Sequence, residues 1–213
     1  MPLRNGRGWN RFDPLAYDGG VRGLVLAVLV AACAKEAAPP EAAPVVRFRL
    51  GFWAETGETR VVIGDRTPLP SGTPLYFVLD GEATVYVVYR DSADGVAVCH
   101  AGPVSERPAV LNGHRLDDTT GLETFYVVAS DGPHAALETA VGKVRAAPAD
   151  AEAGRALLAE IQELRKRHER LATEAARPAP IGGQVRGEDE GAPGVEYDVE
   201  GIRCLTFTID HRA

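Results

Sequence analysis

What most constrains this chain is a period-two alternation of apolar and polar residues that begins at Val45 and recurs in short runs. Val46-Arg47-Phe48-Arg49-Leu50-Gly51-Phe52 alternates residue by residue, and only an extended backbone gathers such a pattern on one face. Thr59 to Ile63 repeats it and closes at Gly64-Asp65, after which Pro68-Leu69-Pro70-Ser71-Gly72 reads as a turn cluster. Leu75 to Leu79 and Thr84 to Tyr89 flank Asp80-Gly81-Glu82, a hairpin signal. Asp91 to Gly95 turns into Val96-Ala97-Val98-Cys99, and Leu122 to Ala129 follows Thr119-Thr120-Gly121. Strands this short, with turn signals about every 8–12 residues, exclude a helical bundle. They predict a mainly β fold: an antiparallel β-sandwich over residues 45–147, with a barrel as the alternative closure.

Two further segments follow. The segment 148–177 predicts an amphipathic helix over Asp150 to Ala176, with Pro148 before it and Arg177-Pro178 after it. Leu157, Ile161, Leu164, His168 and Leu171 form a narrow apolar seam. Packing on the sandwich is the expected use of that seam. A dimerising or partner-binding coil is the alternative, although the seam is shorter than the three or four heptads of a firm coiled coil. Residues 178–200 read as an acidic Gly/Pro-rich loop, whose Glu188-Asp189-Glu190 lacks calcium-loop spacing. Residues 201–213 alternate again and predict a C-terminal strand returning to the sheet.

Ahead of the sandwich, Gly23 to Ala32 is an apolar run preceded by Arg22 and followed by Cys33. It is too short for a bilayer, which needs roughly 20 helical residues. Its anatomy is that of a secretory signal over residues 1–32. Residues 1–20 exceed what an n-region needs, and a start at Val21 would leave Arg22 in that role. Val30-Ala31-Ala32-Cys33 resembles the lipobox of bacterial lipoproteins. The resemblance implies that Cys33 carries a diacylglycerol, becomes the first residue of the processed chain and anchors it in a membrane. Residues 33–44, an Ala/Pro/Glu stretch after that cysteine, form an extended tether. Ala34 is not the Asp that resembles an inner-membrane retention signal, so the outer membrane, facing the periplasm, is the expected place.

Within the sandwich, Leu69-Pro70-Ser71-Gly72, Val85-Tyr86-Val87-Val88-Tyr89, Asp91 to Gly95 and Gly121 to Ser130 together resemble one bacterial family. It is a domain-of-unknown-function family found beside caspase-like peptidase and protein kinase modules and in stand-alone exported proteins. The resemblance covers about Leu69 to Leu137 and departs at Val98 to Pro103, where the family has Leu-Phe-Pro. It implies a β-sandwich accessory domain and carries over no catalytic residue.

Cys99 and Cys204 both fall on predicted strands, and in an oxidising compartment a disulfide between them is expected, with two separately buried thiols as the alternative. His100, His114, Asp117, Asp118 and His211 form the best catalytic constellation, yet no nucleophile elbow, phosphate loop or zinc-protease helix accompanies them. His114, after Asn112-Gly113, reads as a loop residue, and the scattered histidines lack metal-ligand spacing. No catalytic residue, cofactor or metal is therefore expected. A net charge of −7 argues against nucleic acid as a partner. The expected function is a lipid-anchored envelope protein displaying a non-catalytic binding domain toward an envelope protein partner. The alternatives are an exported hydrolase built on His114 with Asp117 or Asp118, and a purely structural envelope protein.

Overall fold

The computed structural model describes residues 45–104, 109–168, 177–178 and 194–213. Among them are β1 (Val45–Thr56), β2 (Thr59–Val62), β3 (Thr67–Pro70), β4 (Pro74–Gly81), β5 (Thr84–Arg90), β6 (Val96–Pro103), β7 (Ala109–Arg115) and β8 (Gly121–Ser130). Two helices follow, α1 (Ala135–Ala146) and α2 (Ala151–His168), and then β9 (Arg177–Pro178), β10 (Val195–Glu200) and β11 (Ile202–Arg212). One sheet runs β7-β4-β1-β10-β9, with β2 also on β1, and the other runs β3-β11-β8-β5-β6. The fold is thus mainly β and sandwich-like, with a late helix and a returning final strand. Among the described residues, every pairing is antiparallel except β3 with β11, which is parallel.

Alternation places the core. Phe48, Leu50 and Phe52 of β1, Leu75, Phe77 and Leu79 of β4, Val85 and Val87 of β5, and Phe125 and Val127 of β8 fill the space between the sheets. The opposite face of the second sheet is apolar as well. Tyr86, Val88 and Val128 point there and meet Leu137, Val141 and Val144 of α1 and Leu157, Ile161 and Leu164 of α2. β5 is covered on both faces, which is why Thr84 to Tyr89 reads as a nearly unbroken apolar run. Each leucine buried in this way contributes roughly 1.5–3 kcal/mol.

The helix seam expected to pack on the sandwich does so through Leu157, Ile161 and Leu164, while His168 is only partly buried and Leu171 lies outside the described residues. Asp150 starts α2 by accepting hydrogen bonds from the backbone N–H of Glu152 (2.8 Å) and Ala153 (3.3 Å). Gly154 lets the helix approach β6, because an added Cβ would sit 3.0 Å from the Val96 side chain. Helix α1 is absent from the sequence reading. Its start is held by Tyr86, whose hydroxyl donates to Glu138 Oε1 (2.7 Å) and accepts from the His134 N–H (3.1 Å).

Three expectations are corrected. Asp80-Gly81-Glu82 is not a hairpin, because β4 pairs with β1 and β7 whereas β5 pairs with β6 and β8. The chain crosses between sheets there, with Gly81 at φ 125° pressed against the Arg47 carbonyl, where a side chain would collide. Residues 195–200, read as loop, form β10 and extend β1 through pairs such as Phe48 with Tyr197. Pro68 to Pro70, read as turn, belong to the edge strand β3, a position that tolerates proline. The acidic run 188–190 lies outside the described residues, as do Cys33 and the lipobox.

The disulfide does not form: Cys99 and Cys204 are both free. Their strands, β6 and β11, are separated in the sheet by β5 and β8, a distance of about 14 Å at the spacing of neighbouring strands. Cys99 also packs into the intersheet core whereas Cys204 packs on the helix-covered face, so no bridge of normal geometry can join them. The sequence reading placed them together because it had no strand order. Burial pushes both thiols up to about 11. Because the thiolate is the reactive form, Cys99 and Cys204 should react at pH 8 about a hundredfold more slowly in the folded chain than in denaturant, a tenfold loss for each of the two units. Equal rates in a chromogenic disulfide-exchange assay would show that these thiols are not buried. The same shift means that the thiols' contribution to stability is full below pH 9 and declines between pH 9 and 11, where the unfolded chain loses these protons first.

Candidate functional site

The inner register of three strands turns polar at one end of the sandwich. On β8, Val127 and Phe125 are followed in the same register by Glu123; on β11, Phe207 and Ile209 by His211; on β5, Val85 and Val87 by Tyr89. β8 lies between β5 and β11, so these three side chains converge. The Tyr89 hydroxyl donates to Glu123 Oε2, and His211 Nδ1–H donates to Glu123 Oε1 at 2.7 Å. His211 Nε2 shares a hydrogen bond with Ser71 Oγ at 2.9 Å. The His211 and Glu123 side chains are 0% and 1% exposed, so the pair at the centre of the network is dry, while Ser71 at its edge is half-buried. Desolvation, reinforced by the Glu123 carboxylate, drives the Tyr89 hydroxyl far above its ordinary range.

His114 joins this end from the opposite sheet. Contrary to the loop reading it lies on β7, in register with Leu75, and its ring packs edge-on against Tyr89 at 4.2 Å and Phe125 at 5.5 Å. Its Nε2 is buried without a hydrogen-bond partner. Burial lowers its pKa, against the opposing pull of Glu123 and Asp117. Asp117, on the exposed loop after β7, accepts from the Thr119 N–H through Oδ1 at 2.7 Å. One donor atom of each of Asp117, Glu123 and His211 lies within 4.8 Å of the other two. Asp117 and His211 are therefore brought together with Glu123, while His114 lies beside them against Tyr89 and is not one of the three converging donors. Asp118 is exposed and is not among the converging donors, and His100 lies on β6 with Nε2 against the Gly102 carbonyl (3.3 Å).

Serine, histidine and carboxylate in this order are the parts of an acyl-transfer relay. Two features oppose that use. The His211 ring has no exposed surface from which to meet a leaving group. The turn amides that could stabilise an oxyanion are engaged: Ser71 N–H donates to the Arg212 carbonyl (3.0 Å) and Gly72 N–H to the Leu116 carbonyl (2.8 Å). The network fastens the β3 turn to β11, β8 and β5.

Ser71, Glu123 and Tyr89 escaped the sequence reading. The signal was present for Glu123, a charged residue occupying the apolar register of Phe125, Val127 and Ala129. Elsewhere, a cavity of about 200 Å³ between the sheets is walled by Leu50, Phe52, Ile63, Val195, Tyr197 and Phe207. Its walls bring no reaction chemistry. Comparison with protein-family models, with curated proteins and with solved structures returns no match.

Proposed function

We propose that the protein is a lipid-anchored component of a bacterial cell envelope, held at the outer membrane through Cys33 and displaying a non-catalytic β-sandwich toward an envelope protein partner. The observation that carries this reading is the order of Val30-Ala31-Ala32-Cys33, the tether 33–44 and a first strand beginning at Val45. Lipidation gives essentially permanent attachment without a basic surface, which suits an acidic chain. The anchor then acts by raising the local concentration of the domain near its partner.

The non-catalytic part is supported by the buried His211 ring and the engaged amides around Ser71. Among the described residues, no helix covers the outer face of the β1–β4 sheet, where Trp53 stacks on Tyr76 (ring centroids 5.7 Å apart) and Arg49 pairs with Asp80. Cys33→Ser should abolish metabolic labelling by a fatty-acid probe and shift the protein from the membrane to the soluble fraction. Undiminished labelling of the variant would overturn the lipoprotein reading.

A further inference from the structure

We infer that Asp117, Glu123 and His211, completed by His114, form a binding site for one divalent transition-metal ion, with Zn²⁺ best suited to the donors. The mixture of imidazole and carboxylate fits that class of ion better than calcium or magnesium, which take oxygen alone.

Three independent observations meet here. The first is convergence: donor atoms from the loop after β7, from β8 and from β11 lie within 4.8 Å of one another. Bonds of about 2.0–2.1 Å place neighbouring tetrahedral donors about 3.3 Å apart. The His211 Nδ1 to Glu123 Oε1 separation of 2.7 Å is that of the hydrogen bond between them, so on taking up the ion the Nδ1 proton would leave and the two atoms would part by about 0.6 Å. The second is the buried His114 Nε2, which lacks a hydrogen-bond partner although its ring stands against Tyr89 at the rim of the cluster. His114 Nε2 is not among the atoms that lie within 4.8 Å of one another, so its ring would have to move to give a fourth bond; a buried polar atom of this kind is costly to leave unsatisfied, and that bond would satisfy it. The third is the outer shell. A ligating histidine normally donates its other ring N–H to an acceptor, and ligating carboxylates are themselves hydrogen-bonded. With Nδ1 on the ion, His211 Nε2–H would donate to Ser71 Oγ, the Tyr89 hydroxyl donates to the second oxygen of Glu123, and Thr119 N–H holds Asp117 Oδ1, leaving Oδ2 for the ion.

Four protein donors close a tetrahedral site, so the ion would be structural, tying β7, β8, β11 and the β3 turn into one end of the sandwich. The sequence conceals it because the ligands come from separate stretches and only the sheet topology joins them.

The test uses the full chain in detergent, stripped with a chelator and titrated with Zn²⁺ alone by calorimetry. One equivalent should bind and raise Tm, while Ca²⁺ or Mg²⁺ should do neither. Asp117→Asn keeps the acceptor for Thr119 on an exposed loop, so the metal-free variant should melt as the parent does while its Zn²⁺ affinity falls at least tenfold. His114→Gln should lose affinity similarly, and replacing both Cys99 and Cys204 by serine should leave it intact. No binding at millimolar Zn²⁺, binding that survives Asp117→Asn and His114→Gln, or binding lost with the cysteines would each overturn the site. None of these readouts depends on Cys33.

Discussion

Phe125→Ala should cost the domain about 3–5 kcal/mol, the usual range for removing a buried aromatic ring. Phe125 has no exposed surface, and its ring is surrounded by four others: Tyr89 at 4.8 Å, Phe52 at 5.0 Å, Phe77 at 5.1 Å and His114 at 5.5 Å. Phe52 and Phe77 are contributed by β1 and β4 of the opposing sheet, so the cavity would open at the contact between the two layers. A domain with a typical total of about 5–15 kcal/mol would lose a large share of its stability. Chemical denaturation followed by circular dichroism measures the loss. Phe125→Leu, which keeps most of the volume, should cost markedly less, and an unmoved midpoint for the alanine variant would show that the ring cluster is not what joins the sheets.

Glu123→Ala should be comparably damaging for a different reason. The Tyr89 hydroxyl and the His211 Nδ1–H both donate to this carboxylate where there is no exposed surface. Each donor left unsatisfied in a dry interior costs about 1–3 kcal/mol, before the lost volume is counted. Glu123→Gln separates the two contributions: it preserves the size and one acceptor oxygen, and turns an N–H₂ toward a group that needs an acceptor. Its stability should therefore fall between those of the parent and the alanine variant. Equal stability of all three chains in the same denaturation experiment would mean that the polar end of the sandwich contributes nothing to holding β8 against β5 and β11.

The class of fold was legible because alternation is a local property. Phe48-Arg49-Leu50 declares a half-buried strand without reference to any neighbour, and the unbroken apolar run at Thr84 to Tyr89 is a strand buried on both faces. Sheet membership was not legible, since it depends on partners far along the chain. The segment at Gly81 has the composition of a tight turn, and nothing local tells whether the strands beside it pair or part. Helix α1 was missed although Leu137, Val141 and Val144 carry helical spacing, because its few apolar residues follow directly on a strong strand pattern. The same limit governed the cysteines and the polar cluster. Cys99 and Cys204 both lie on strands, and only strand order shows that they face different layers. His114, Asp117 and His211 were all noticed, whereas Glu123, which binds His211 and Tyr89, was passed over as an ordinary strand residue.

The placement of β11 has a consequence in time. It is the last of the described strands in chain order, yet it lies inside its sheet, between β3 and β8, and it carries His211. A ribosome therefore finishes β8 well before the strand that pairs with its whole length exists. Until Ile202–Arg212 emerge, the hydrogen-bonding edge of an apolar strand stays open, the condition under which nascent β proteins associate wrongly. Long-range closure of this kind is also slow. Completion of this sheet thus falls after synthesis of β11, well behind that of the strand it pairs with.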